Sequence, residues 1–282
     1  EGRVTRDPRL RLVRERAATC VLDGDNGPGR YLSVQGMRHA MERAKNFGVG
    51  VCLSAQTSHW GRAHAYAYRA AHAGMIGICT TNAMTSMFVQ GSSHSVLGNN
   101  PLAIGVPRAR GQEAVVLDMA MTQAAVGKIG TYLREGKDVP LGWGLDESGS
   151  PTRDPAAILA SRKFLPMGDH KGYGLCLMME FLTAALVGGP LCFELSQLDR
   201  STLDPASSKL FIALDVEAFV EPERFHQRVD DLLRSLRDAK GPGQEALYPG
   251  ERGWRMRDRH LAEGIPIHPE IVSQLSAIGI SF

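Results

Sequence analysis

The 282-residue chain predicts an α/β fold built on a scaffold other than the Rossmann type. Two observations carry that expectation. Short apolar runs alternate with longer segments whose apolar residues recur at helical spacing, and glycines stand where those helices should stop. The dinucleotide fingerprint Gly-x-Gly-x-x-Gly is absent: Gly24, Gly27 and Gly29 are wrongly spaced, and Pro28 removes a backbone donor between them.

Taken in order, Val34, Met37, Met41 and Ala44 fall on one face of a helix from Arg30 to Phe47, with Gly48 placed as its cap. The glycines before it read as a turn. Val49 to Ala55 reads as a strand, Arg62 to Ala73 as an alanine-rich helix stopped by Gly74, and Met75 to Thr80 as the next strand. Leu102 to Val106 and Ala114 to Met119 supply two more. The Gly/Pro-rich segment Gly136 to Pro155 reads as a surface loop in which Asp154-Pro155 starts a short helix. A further helix opens at the glycines around Lys171 and runs to about Val187, and Lys209 to Asp215 is a strand. Phe225, Val229, Leu232, Leu233 and Leu236 mark the clearest amphipathic helix, within Pro222 to Lys240. No repeat or linker divides the chain, so residues 1–282 read as a single domain.

Composition excludes several classes. At 43% hydrophobic and 22% charged the chain reads as globular, and a formal charge of +2 with no basic run beyond Arg3, Arg6, Arg9, Arg11, Arg14 and Arg16 argues against nucleic acid. Those arginines read as a solvated edge. Cys20, Cys52, Cys79, Cys176 and Cys192 lack the spacing of a zinc site, so they read as buried thiols of a reducing cytoplasm, with no metal expected. The longest apolar run, Tyr173 to Val187, contains Glu180 and falls short of the roughly 20 residues that span a bilayer, so no membrane partner is expected. The chain starts without methionine or a signal-peptide core, and the expectation is that Glu1 is not the natural start.

The most informative stretch is Gln56-Thr57-Ser58-His59-Trp60-Gly61, at a strand-to-helix junction. A histidine there either caps the following helix or faces a ligand. In the second case it is suited to exchange the proton that accompanies hydride transfer to a carbonyl, because imidazole titrates near pH 6.5. The segment Met167-Gly168-Asp169-His170-Lys171-Gly172-Tyr173-Gly174 offers a helix start, glycines and a lysine charge, which suits a pyrophosphate or a close-packed turn. Asp118 closes an apolar strand, where it either holds a ribose hydroxyl or caps a helix beginning near Thr122. Asn99 and Asn100, before Pro101, sit in a rigid turn and can donate amide hydrogen bonds.

Together these pieces resemble the malate/L-lactate dehydrogenase family, which also includes ureidoglycolate, sulfolactate and diketogulonate oxidoreductases and cyclic imino-acid reductases. The resemblance runs from about Val21 to the C-terminus. It is carried by Asp23-Gly24-Asp25-Asn26-Gly27, Ser58-His59-Trp60-Gly61, Gly74-Met75-Ile76-Gly77-Ile78, Gly98-Asn99-Asn100-Pro101-Leu102, Leu117-Asp118-Met119-Ala120, Gly127-Lys128, His170-Lys171-Gly172-Tyr173-Gly174-Leu175 and Tyr248-Pro249-Gly250-Glu251.

The resemblance implies a non-Rossmann α/β fold with a mixed, largely antiparallel sheet flanked by helices, and a homodimer that binds NAD or NADP. It implies His59 as the catalytic acid/base. Ala83, the stretch Asp118, Met119 and Ala120, then His170, Lys171 and Gly172, and finally Pro249, Gly250 and Glu251 become cofactor contacts; Ser58, Gly61 and Asn100 become substrate contacts. The substrate expected is a small 2-hydroxy acid or its 2-oxo acid. A cyclic imine carboxylate is the alternative, and a non-catalytic dimer is the rival from another class, because the family's upstream helical segment with Asp-Ser-His-Gly and an arginine does not occur in this chain.

Overall fold

The computed structural model describes residues 4–198, 206–241 and 243–281. Its strands and helices follow in the order β1 (Arg11–Arg16), β2 (Thr19–Gly27), α1 (Gly29–Phe47), β3 (Val49–Thr57), α2 (His64–His72), β4 (Met75–Thr81), β5 (Leu102–Val106) and β6 (Val115–Met119). There follow α3 (Val126–Arg134), β7 (Gly144–Leu145), α4 (Pro155–Ser161), β8 (Lys163–Phe164), α5 (His170–Glu180), α6 (Cys192–Gln197) and β9 (Ser207–Asp215). The chain closes with α7 (Pro222–Asp238), α8 (Glu251–Glu263) and α9 (Pro269–Ala277).

Seven strands form one sheet in the order β1-β2-β3-β9-β4-β5-β6, and β7 pairs with β8 apart from it. Only β2 and β3 run parallel; the other neighbours are antiparallel, as a mixed, largely antiparallel sheet requires. The late strand β9 enters the centre, with Cys52 opposite Phe211 on one side and Cys79 opposite it on the other. Helix α1 packs on β3 and β9, and α2 on β4 and β5. The main core lies beneath them and joins Met37, Trp60, Tyr66, Phe211 and Trp254, while the alanines of α2 let that helix lie close to the sheet.

The outermost strand, β1, is exposed at all six positions, and of the arginines expected on a solvated edge Arg6, Arg9, Arg11, Arg14 and Arg16 are exposed, while Arg3 lies outside the described residues. Charged side chains on such an edge discourage pairing with another chain. Gly48 and Gly74 stop their helices in left-handed backbone, with φ of +77° and +80°.

Two expectations need correction. The glycine segment read as a turn before α1 is the end of β2, which runs through Asp23 to Gly27. The helix after Lys171 changes pitch: α5 ends at Glu180 and Phe181–Ala185 continue as a π-helix. The amphipathic helix expected within Pro222 to Lys240 forms as α7; none of its residues is buried, and Leu232 is 70% exposed. No helix among the described residues is long and apolar enough to cross a membrane.

Candidate active site

The site is built on the turn between β3 and α2. Ser58 ties that turn to the start of α1: its Oγ accepts from Gly29 N at 2.9 Å and donates to Gly27 O at 3.0 Å. A Cβ on Gly29 would stand 1.8 Å from the Ser58 carbonyl oxygen, so only glycine lets the helix start pass beneath the turn. From the other side Lys209, fully buried on β9, donates its Nζ to Ser58 O at 3.1 Å, to Ser207 Oγ at 2.8 Å and to Thr57 Oγ1.

His59 follows on this anchored backbone. Its Nδ1 accepts from Gly61 N at 3.2 Å, a contact that Gly61 reaches with a φ of +79°. A neutral ring whose Nδ1 accepts must carry its proton on Nε2. His59 does not cap α2. That helix begins at His64, whose N–H donates to Asp118 Oδ2 at 3.2 Å from across the sheet. Asp118 thus serves α2 rather than a helix near Thr122; the next helix begins at Val126, behind an extended Ala125.

His59, Gly61, Ala83, Asp118, Met119 and Ala120 line one cavity of about 590 Å³, together with Arg62, Met84, Asn99 and Gly127. A second, of about 410 Å³, is lined by Tyr248, Pro249, Gly250 and Arg252 and shares Arg62 and Asp118 with the first. The shared pair is an ion pair, Arg62 Nε to Asp118 Oδ2 at 3.2 Å. Gly250, with a φ of +94°, brings backbone to this wall, and a Cβ there would meet Val116 O at 3.0 Å.

The remaining expected residues lie elsewhere. His170 lines a third cavity, of about 610 Å³, with Asp169, Gln90 and Tyr173. Lys171 is exposed and lines none of the three. Gly172 is buried, where a Cβ would meet Met167 O at 2.3 Å, so it serves close packing. Glu251 is buried under the Gly250 turn, bonded to Tyr248 N at 3.2 Å and paired with Arg237 and Arg255.

Asn100 is fully buried behind the first cavity: its Oδ1 accepts from Ala83 N at 3.0 Å, and its Nδ2 donates to Glu180 Oε2 at 2.8 Å. Its neighbour Asn99 lines the cavity instead. Glu180 also accepts from Asn82 Nδ2 at 3.2 Å and Cys192 N at 2.8 Å, so one buried carboxylate fixes the asparagines on either side of the Ala83 wall. Burial pushes this carboxyl above its ordinary range, and the amide donors pull it back only partly.

A nicotinamide dinucleotide fits what these walls offer. Met84, Met119 and Ala83 give a flat ring an apolar bed beside His59, the shared Arg62 sets a positive charge between the two cavities, and Gly250 admits a ligand close to backbone. Arg62, Lys209 and Glu180 are the residues that sequence reasoning passed over. Lys209 and Glu180 each left a signal, a charge within an apolar stretch; Arg62 left none beyond its place in the His59 loop.

The comparisons with known proteins agree with this architecture. The fold and site define a non-Rossmann oxidoreductase scaffold, and the malate/L-lactate dehydrogenase family profile matches residues 1–276. The chain is 36% identical over 282 residues to L-sulfolactate dehydrogenase of Methanocaldococcus jannaschii, covering 98% of this chain and 79% of that protein. It is 33% identical over 252 residues to the Delta(1)-pyrroline-2-carboxylate/Delta(1)-piperideine-2-carboxylate reductase of Pseudomonas syringae pv. tomato, covering 89% and 72%. The crystal structure of malate dehydrogenase from Entamoeba histolytica superposes with a TM-score of 0.93 at 29% identity, over 100% of this chain and 82% of that one. The chain belongs to the malate/L-lactate dehydrogenase family.

Proposed function

We propose that the protein is a nicotinamide-dependent oxidoreductase that interconverts a small 2-hydroxy acid and its 2-oxo acid, with His59 at the reacting oxygen. The observation that supports this reading is the gathering of His59, Ala83 and Asp118–Ala120 on one cavity wall, from three separate parts of the chain. The bound cofactor supplies the hydride. In the reduction direction the imidazolium form of His59, its Nδ1 protonated and so released from Gly61 N, gives its Nε2 proton to the substrate oxygen as negative charge develops and is left neutral; the neutral ring takes that proton back in reverse. Ser58, held through its hydroxyl by Gly29 and through its carbonyl by Lys209, keeps the imidazole in place, and Met84 and Met119 give the cavity an apolar wall.

Replacing His59 with Asn tests the assignment: kcat is expected to fall about 10²- to 10⁴-fold in a 2-oxo acid reduction assay. A loss under about tenfold removes His59 from the proton-transfer role. The second reading, reduction of a cyclic imine carboxylate, is favoured by the likeness to the Pseudomonas syringae reductase. Assays with a 2-oxo acid and a cyclic imine carboxylate side by side distinguish the two. A homodimer belongs to the same proposal, supported by the exposed stripe Leu175, Met178, Leu182 and Leu186, with light scattering as its measure.

A further inference from the structure

We infer that Arg62 and Arg252 form a subsite for a phosphate on the far ribose of the dinucleotide, so that the protein selects the 2′-phosphorylated cofactor, NADP(H), over NAD(H). This inference rests on the function proposed above.

Orientation comes first. His59 must meet the reacting carbon, so the nicotinamide end belongs in the cavity of about 590 Å³. An extended dinucleotide then needs a second chamber that adjoins the first. The cavity holding Pro249 and Gly250 shares two lining residues with it, Arg62 and Asp118, whereas the cavity holding His170 shares none. The adenosine end therefore lies against the Gly250 turn.

Charge decides what that end carries. In Rossmann sites an unphosphorylated ribose meets a carboxylate that accepts from its 2′-hydroxyl and a phosphorylated one meets arginine, and the chemistry of that pairing, charge against phosphate, does not depend on the scaffold. The one carboxylate lining the second cavity is Asp118, whose charge is paired with Arg62: its Oδ2 accepts from Arg62 Nε and His64 N, each at 3.2 Å. Glu251, next to the turn, is buried and held by Arg237 and Arg255. The cations have capacity to spare. Arg62 bonds Asp118 only through Nε, its side chain is 71% exposed, and its two Nη groups carry no hydrogen bond among the described residues. Arg252 is exposed on the same cavity and forms no ion pair among the described residues. Two guanidiniums, one anchored by a carboxylate and one free, match the charge and fork geometry of a phosphate monoester.

The test is direct binding, read from the fluorescence of the reduced cofactor and independent of turnover. Wild-type protein is expected to bind NADPH at least about tenfold more tightly than NADH, and Arg62→Gln and Arg252→Gln should each weaken NADPH by about 10- to 100-fold, the loss of one charge-assisted phosphate contact. NADH should weaken at least about fivefold less in each variant, and adenosine 2′,5′-bisphosphate should compete with NADPH better than AMP does. Equal affinity for NADH and NADPH, or equal weakening of both in the variants, overturns the subsite while leaving the oxidoreductase reading intact. Failure of the wild type to bind either cofactor overturns both. Circular dichroism of each variant confirms that a lost affinity is not lost folding.

Discussion

The ammonium of Lys209 donates to the carbonyl of Ser58 at 3.1 Å, so a fully buried charge on the central strand β9 holds the backbone one residue before His59. Three oxygens, from Thr57, Ser58 and Ser207, depend on it. A methionine at this position fills the space but leaves those acceptors unmatched in the core.

Lys209→Met should therefore cost about 2–4 kcal/mol of stability, the range for stranded buried polar groups. It should also lower kcat more than it raises KM, because the turn that aims the imidazole loses its clamp. Urea titration followed by steady-state kinetics at a permissive temperature checks both. A cost below about 1 kcal/mol with unchanged kcat means the lysine does not set the turn.

Glu180 gives a pH signature. Burial raises its carboxyl above the ordinary value near 4.5, against the pull of Asn100, Asn82 and the Cys192 amide. The folded chain therefore holds that proton more tightly than the unfolded chain does. Its contribution to stability is complete below about pH 4.5 and is lost as pH rises through the raised folded value. Glu180→Gln cannot ionise, so the gap between wild type and variant should move in the variant's favour as pH climbs through that window. The amide also turns an N–H toward a donor such as Asn82 or Asn100, which sets a pH-independent penalty of about 1–3 kcal/mol. Parallel stability curves for the two proteins from about pH 4 to 8 would show that the carboxyl does not titrate there.

The thiols should be silent. All five cysteines are buried; burial raises Cys79 and Cys176 beyond the ordinary thiol range and pushes Cys192 up to about 12, and although the hydrogen bond with Cys52 lowers the Cys20 thiol, that residue is only 3% exposed and gives a reagent no approach. A thiol-specific reagent at neutral pH should label none of them within the time that fully labels the protein in denaturant. Rapid modification of any one in the native protein would mean that its strand or helix opens readily.

The framework around β3 was legible because its residues obey local rules. Glycines that end α1 and α2, the short apolar run of β4 and the Asp154-Pro155 helix start all act through neighbours in sequence, and Asp154 does accept from Ala156 N at 2.8 Å. Long-range partners were not legible. Asp118 reads as the cap of whatever follows it, yet it caps a helix 54 residues earlier. The stripe on α7 is indistinguishable from a core-facing one until its exposure is known. In the site, His59, Ala83 and Asp118–Ala120 line one cavity with Arg62, whereas Lys171, which reads as a phosphate cation from its glycines, lines neither this cavity nor the one at Gly250.

One contact joins the rim of the sheet to the second cavity. The amide of Val116, on β6, donates to Pro249 O at 3.0 Å, and Trp254 Nε1 donates to Ala114 O at 2.8 Å, so the tail of the chain serves as the neighbour this edge strand lacks. A molecule seated against Gly250 therefore presses on the brace that keeps β6 from fraying. Deuterium uptake at the Val116 amide becomes a reporter of occupancy from inside the sheet, and a chain cut before Tyr248 would lose a binding wall and gain an adhesive border in the same stroke.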